Sequence, residues 1–239
     1  MKKGGRSRRP ARNRRVREAS ASPPFTPQTA VARRSRTTRL EAALPQGPVL
    51  RVHSQAPDRA TYLRRPDLGR RLDPASLETL PTGTCDLALV IGDGLSAGAV
   101  QTWAAPTVHA ILARLGSWSV APLVLAAQAR VALGDPIGER LGARLVAILI
   151  GERPGLSVAT SLGIYLTYSP VTGRRDAERN CISNIHADGL SPEAAADKLA
   201  WLATEALRRG LTGVALKEEA GAVLPGASGV LGEGVTGRE

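Results

Sequence analysis

The chain has 239 residues, enough for one large α/β domain or two small ones, and its formal net charge is +11. Residues 1–40 carry 13 Lys and Arg and one acid, whereas the remaining residues carry 19 bases and 20 acids. The basic character therefore belongs to the N-terminal tail, and it does not indicate nucleic-acid or membrane binding by the folded body.

The cysteines and the apolar runs indicate the compartment. Cys85 and Cys181 are 96 positions apart and form no Cys-x-x-Cys pair, which suits a reducing cytoplasm better than a disulfide framework. No apolar segment follows the basic start, so a secretory signal is not predicted, and a transit peptide is kept as an alternative. The longest uncharged run, 95–113, contains polar residues and a proline that a membrane-spanning helix would avoid. We predict a cytoplasmic chain without a membrane span.

The two ends and the first segment lack a regular apolar pattern. Residues 1–38 are basic and poor in apolar side chains, so they are predicted to be disordered, with a nucleic-acid-binding arm as an alternative. Residues 39–84 are interpreted as a helical and linker segment, in which "DPASLETL" is a capped helix start. Residues 218–239 are glycine-rich and are predicted to form a frayed tail.

From residue 85, apolar strands alternate with amphipathic helices. "CDLALVIGDG" predicts a buried parallel strand, and "LSAGAVQTWAAPTVHAILARLG" a helix capped by Ser96 or Asp93. "SVAPLVLAAQARV" and "RLVAILIGE" predict strands on either side of the short helix "GDPIGERLGA", and "GIYLTYSP" a fourth strand. "SPEAAADKLAWLATEALRRG" predicts a last helix, with Ser191 as its N-cap and Gly210 as its stop. The order predicts an α/β fold with a doubly wound, mostly parallel sheet, whose ligands bind at the carboxyl ends of the strands.

The stretch "IGDGLSA" has the spacing of a dinucleotide-binding fingerprint at Gly92, Gly94 and Ala97. Such a fingerprint needs an acid about twenty residues further on, yet residues 110–134 contain no Asp or Glu. Asp93 also places a carboxylate where a pyrophosphate would approach. A tight strand-to-helix turn is therefore favoured, and a stand-alone dinucleotide-binding oxidoreductase is the alternative.

The histidines and Cys181 are candidates for metal ligands or nucleophiles. His53, His109 and His186 are isolated, so no metal site is predicted. A Cys181 nucleophile with His186 as its base is an alternative to the more common role of a lone cysteine as a small apolar side chain. "NIHADG" differs by one residue from Asp-x-His-x-x-Gly, with which some proteins bring a histidine to cobalt. Asn184 replaces the acid that would orient the imidazole, so His186 is not predicted to bind cobalt.

The stretch "GERPGL" places Glu152 and Arg153 at the end of the third predicted strand, with Pro154 and Gly155 forming a turn. A salt-bridged turn is one interpretation. The other is a carboxylate that accepts hydrogen bonds from a ligand's amides or hydroxyls.

Several stretches, taken in order, resemble the light subunit of ethanolamine ammonia-lyase. They lie within residues 50–217: "YLRRPDLGRRL", "VIGDGLSA", "ARVALGDPIGERLGA", "LIGERPGL", "SLGIYLTYSP", "DAERNCISNIHADGLSPEAAADKLAWL" and "GLTGVALK". The resemblance implies a Rossmann-like fold for residues 85–217, and a subunit that caps a large barrel subunit with adenosylcobalamin held between them. It also implies that the large subunit binds ethanolamine and carries the catalytic groups, so that none is expected in this chain.

The resemblance assigns three cofactor contacts to this subunit, Val131, Glu152 and Cys181. Ethanolamine would be converted to acetaldehyde and ammonia by radical chemistry that adenosylcobalamin supplies. The location implied is the cytoplasm, with a bacterial microcompartment as an alternative. The family usually carries a helix rich in leucine and histidine before "RVHS", which residues 1–49 do not show, and residues 218–239 have no counterpart.

Overall fold

Residues 39–153 and 160–216 are described by a computed structural model of the chain. The predicted N-terminal tail, the turn at Pro154 and Gly155, and the C-terminal tail lie outside these residues. The strands are β1 (Val49–His53), β2 (Cys85–Gly92), β3 (Leu123–Ala127), β4 (Ala143–Glu152), β5 (Ser161–Tyr168) and β6 (Asn180–Ile185). The helices are α1 (39–43), α2 (Arg59–Arg64), α3 (Pro74–Glu78), α4 (Ala97–Leu112), α5 (Gly134–Arg140) and α6 (Pro192–Arg209).

The strands form one sheet in the order β1-β3-β2-β4-β5-β6. The pairs β1–β3, β3–β2 and β2–β4 are parallel, and β4–β5 and β5–β6 are antiparallel. The α/β fold class is therefore confirmed, but the sheet is mixed and does not confirm the predicted doubly wound parallel arrangement. The reason is the length of the connection, because residues 153–160 are too few for the crossover that a parallel β5 would require.

The core lies on both faces of the sheet because the central strands are apolar in both directions. Along β2, Leu87, Leu89 and Ile91 belong to one buried cluster, and Ala88 and Val90 belong to the other. Helices α4 and α6 cover the first face, and α5 packs against the second. A strand that is buried on both sides reads as a continuous apolar run, which is why β2, β3 and β4 were predictable.

Local signals set the helix ends. The side chains of Asp73, Ser96 and Ser191 accept hydrogen bonds from backbone N–H groups in the first turns of α3, α4 and α6. The last helix ends at Gly210, whose φ of 70° is in the left-handed region that glycine adopts without strain. The predictions of these caps and of the glycine stop are confirmed, with Ser96 rather than Asp93 as the cap of α4.

Two strands were not predicted from the sequence. Strand β1 lies in the segment interpreted as helix and linker, and pairs in parallel with β3. Strand β6 has both polar and apolar positions and lies next to β5, at the end of the strand order. Both strands carry a weaker apolar signal because each has one neighbour in the sheet and is partly exposed.

Candidate functional site

The carboxyl ends of the parallel strands meet at one edge of the sheet. Gly92 of β2 lies opposite Ala126 of β3 and Ile150 of β4, so β4 ends two residues further on at Glu152. The loops that leave β2, β3 and β4 therefore begin side by side. Open α/β sheets bind ligands at this edge, which makes it the candidate site.

The glycines of "IGDG" and "IGE" bring two backbones into direct contact. A Cβ atom on Gly94, whose φ is +54°, would lie 2.2 Å from the carbonyl oxygen of Gly151, and one on Gly151 would lie 2.0 Å from that of Ser96. The Leu95 N–H donates a 2.7 Å hydrogen bond to the same Gly151 oxygen. These glycines therefore let the loop after β2 pack on β4, as a tight-turn interpretation predicts.

Asp93 connects the loop after β2 to the loop after β3. One of its carboxylate oxygens accepts a 3.0 Å hydrogen bond from the Ala129 N–H. Burial raises the pKa of Asp93, and the backbone N–H groups of Ala129 and Gln128 oppose this increase. A carboxylate that is held inside this loop leaves an unfavourable environment for a dinucleotide's pyrophosphate, and the dinucleotide alternative has no support in this geometry.

A pocket of about 320 Å³ opens at this edge. It brings together the three residues proposed from the resemblance, Val131, Glu152 and Cys181, which lie after β3, at the end of β4 and at the start of β6. The other lining residues come from all around this edge: Tyr62, Arg70, Gly94, Leu95, Arg130, Ile150, Gly151, Tyr165, Asp176 and Arg179.

Glu152 is fixed by its neighbour on β5. The Tyr165 hydroxyl donates a 2.5 Å hydrogen bond to Oε1 of Glu152. Burial, and then the hydrogen bond to Glu152, raise the pKa of Tyr165 far above its usual value, so the phenol stays protonated. The carboxylate therefore has a permanent donor within the pocket.

Cys181 lies directly across from Tyr165 in the register of β5 and β6. The residue is exposed, with its thiol on the pocket wall. Loss of hydration in the pocket raises the pKa of the Cys181 thiol, and the charge of Glu152 raises it further, while the hydrogen bond with Tyr165 acts in the opposite direction. The thiol is thus a neutral, polarisable contact at neutral pH.

The opposite wall is built on Tyr62, which is 1% exposed. The guanidinium groups of Arg59 and Arg130 each lie 4.7 Å from the centre of its ring, within the range of cation–π attraction. The Tyr62 hydroxyl donates a 3.1 Å hydrogen bond to the carbonyl oxygen of Ala129. Tyr62 thereby holds the backbone that leads to Val131, and the motif "YLRRPDLGRRL" becomes part of the site.

A buried ion pair, of which Arg179 lines the pocket, supports the pocket wall. Arg179 and Asp135 form two hydrogen bonds, of 2.5 and 2.7 Å, and their side chains are 2% and 1% exposed. Nη1 of Arg179 also donates to the hydroxyl of Thr167 on β5. Because Asp135 follows Val131 and Arg179 precedes Cys181, the pair connects the two segments that carry those contacts.

His186 does not line the pocket. It lies just past the end of β6, whereas Cys181 lies near its start, so the two are about 16 Å apart along the strand. His186 cannot be a base for Cys181, and the nucleophile alternative is wrong for this pair. Asn184 has a φ of 62° and accepts a backbone hydrogen bond from Leu190, so "NIHADG" forms a tight turn.

Four residues that line the pocket were not predicted from the sequence: Tyr62, Arg130, Tyr165 and Arg179. All four lie in motifs that carry the family resemblance, and this is the signal that could have indicated them. In residues 39–153 and 160–216, no group of three or more His, Cys, Asp or Glu side chains could hold a metal ion. None of the helices in the same residues is long and apolar enough to cross a membrane.

A sequence profile of the ethanolamine ammonia-lyase light chain matches residues 5–217. The chain belongs to this family. It is 56% identical over 177 residues to the ethanolamine ammonia-lyase small subunit of Bradyrhizobium diazoefficiens, which is 72% of this chain and 68% of that one. It is 58% identical over 175 residues to the small subunit of Rhodopseudomonas palustris (70% and 66%), and 54% identical over 179 residues to that of Ralstonia nicotianae (72% and 66%).

Membership of the ethanolamine ammonia-lyase light chain family confirms the resemblance; the assignment of Val131, Glu152 and Cys181, which rests on it, stays a prediction. The matched residues span about two thirds of the length of these relatives. The profile match begins at residue 5, well before the first motif of the resemblance, so the similarity reaches further into the N-terminal part of the chain than the motifs indicate. The relatives are named as subunits of a lyase, and the name "small subunit" implies a larger partner.

Proposed function

We propose that this chain is the light subunit of an adenosylcobalamin-dependent ethanolamine ammonia-lyase and forms one wall of its cofactor site. The observation that carries the proposal is the pocket at the carboxyl edge of β4, in which Val131, Glu152 and Cys181 line one space. These residues are far apart in the sequence, and the family resemblance assigns all three to one ligand. A ligand that binds at this edge would lie at the carboxyl ends of the strands, where Rossmann-like folds bind their ligands.

The chemistry of the pocket suits the edge of a corrin ring. Glu152 offers a carboxylate to the N–H groups of corrin amide side chains, or to hydroxyl groups. Val131 and Ile150 offer apolar surface, and Cys181 offers a neutral sulfur. Adenosylcobalamin supplies the radical chemistry when bound, and the proposed work of this chain is to hold and orient it.

The size of the pocket supports a shared site. A volume of about 320 Å³ is at the lower end of the range for small-molecule sites and can receive only part of a cobalamin. Leu95 lines the pocket and is 39% exposed, and Leu63, also exposed, lies on α2 next to Tyr62 of the pocket wall. A large subunit that covers this edge would complete the site and bury these leucines. The complex would work in the cytoplasm, either free or inside a microcompartment.

The test is reconstitution with a large subunit. We expect ammonia release from ethanolamine when the large subunit of the Bradyrhizobium diazoefficiens enzyme, adenosylcobalamin and this chain are combined, and no release when any one is omitted. The small subunit of the same organism is the positive control. Activity with that control but none with this chain, although the two subunits co-purify, would contradict the proposal.

A further inference from the structure

Glu152 and Tyr165 do not face each other in the strand register. Glu152 pairs with Ser161, whereas Tyr165 pairs with Ile148, four residues earlier on β4. Four residues of strand correspond to about 13 Å, so the two side chains must lean toward each other along the sheet to make their hydrogen bond. The carboxylate therefore lies back over β5, where it still lines the pocket.

Gly163 provides the room for this arrangement. It lies between Ser161 and Tyr165 on the same face of β5, because side chains alternate along a strand. A Cβ atom on Gly163 would be 2.8 Å from Cδ and Oε1 of Glu152 and 2.9 Å from Oε2. The whole carboxylate thus rests where the side chain of any other residue would begin.

In the hydrogen bond between Tyr165 and Glu152, the phenol is the donor and the carboxylate is the acceptor. With its pKa raised, the Tyr165 phenol stays protonated and donates to Oε1. A carboxylate has room for further donors on its second oxygen. Within residues 39–153 and 160–216, the side-chain hydrogen bond to Glu152 is the one that Tyr165 donates to Oε1, so Oε2 is the oxygen that we assign to a ligand.

We propose that Tyr165 is a positioning residue, which holds the Glu152 carboxylate over Gly163 and presents Oε2 to the amide or hydroxyl donors of the cofactor. This inference rests on the proposed function, and it adds two residues, Tyr165 and Gly163, to the three contacts. The Glu152 side chain therefore loses its conformational entropy before the ligand binds. Because binding then loses less entropy, the affinity for the ligand is higher.

The first test is Tyr165→Phe in the reconstituted complex, with adenosylcobalamin affinity measured by equilibrium dialysis. The substitution removes one hydroxyl and keeps the ring, and we expect the Kd to rise about tenfold, as for the loss of a hydrogen bond to a charged group. The KM for ethanolamine at saturating cofactor and the melting temperature should not change. Tyr168→Phe, the same change on the other face of β5, should leave the Kd unchanged.

A second, independent test is Gly163→Ala. The backbone of Gly163 does not have a positive φ, so alanine fits the strand, but its methyl group displaces the carboxylate. We expect a rise in Kd similar to that of Tyr165→Phe. Gly98→Ala is the matched control, because among the described residues the added methyl group would meet Thr160 at an ordinary contact distance of 3.6 Å.

A double-mutant cycle decides whether the effect passes through Glu152. In a Glu152→Ala background, Tyr165→Phe and Gly163→Ala should have no further effect on the Kd. Full additivity, or a Tyr165→Phe variant with the wild-type Kd, would overturn the inference while leaving the proposed function intact. A wild-type complex that does not bind adenosylcobalamin would overturn both.

Discussion

Cys181 shows how the surroundings of one side chain decide its chemistry. A lone cysteine beside a histidine in sequence is a candidate nucleophile, and here the histidine lies past the other end of β6. The thiol instead lies near Tyr165 and Glu152, where lost hydration and a neighbouring negative charge raise its pKa. A thiol that keeps its proton is a weak nucleophile, because the thiolate is the reactive form.

We therefore expect Cys181 to react slowly with iodoacetamide. At pH 7.5 its rate should be severalfold below that of the same cysteine in the unfolded chain, and the rate should increase as the pH is raised toward the pKa of the thiol. Glu152→Gln removes the neighbouring charge and should accelerate the reaction. Mass spectrometry of the Cys181 peptide measures both rates, and rapid modification at pH 7.5 in the folded protein would contradict the assigned environment.

Among the elements, α5 and β6 depend on the buried pair of Asp135 and Arg179. Removal of one partner of a buried ion pair leaves an uncompensated charge away from water. The pair Arg65 and Asp67, in contrast, is exposed, with side chains 60% and 43% accessible. Pairs of that kind contribute little because water screens them.

Breaking the buried pair should therefore destabilise the protein far more than breaking the exposed pair. Asp135→Asn should lower the free energy of unfolding by about 3–5 kcal/mol, as for a broken buried pair. Asp67→Asn should have a much smaller effect. Urea denaturation followed by circular dichroism measures both. Equal effects of the two substitutions would show that the buried pair does not connect α5 to β6 as described.

At the scale of the whole molecule, residues 39–84 belong to the same folded body as the sheet. Leu40 and Leu44 of the first segment are buried in the cluster that contains α4 and β2, and β1 pairs with β3. A segment that only linked other parts of the chain would not be buried in this way. Loss of this segment would expose part of the core and would leave β3 without its neighbour β1.

Alanine substitutions at two leucines test whether residues 39–84 pack on the core. Leu44, which is 4% exposed, should cost about 2–5 kcal/mol of stability when changed to alanine. Leu63, which is 54% exposed, should cost about 0.5 kcal/mol or less in the isolated chain. The midpoints of urea denaturation compare the two. A Leu44→Ala variant as stable as Leu63→Ala would mean that the first segment is not packed on the core in solution.

Much of the fold was determined by local sequence. Apolar runs bounded by glycine predict β2, β3 and β4, and Ser191 and Gly210 predict both ends of α6, because burial on two faces and capping leave signals within a few residues. The positions of Val131 and Glu152 after such strands place them at the ligand-binding edge. The resemblance then supplied Cys181, which no local pattern distinguishes from an ordinary apolar cysteine.

Only the tertiary structure decided the rest. The reversal of β5, the pairing of β1 with β3, and the meeting of Tyr165 with Glu152 depend on which strands become neighbours and in which register. The Arg179–Asp135 pair joins residues 44 positions apart, and the stacking of Arg130 on Tyr62 joins residues 68 apart. Such contacts depend on the packing of distant segments, and the local propensities of the residues involved do not encode them.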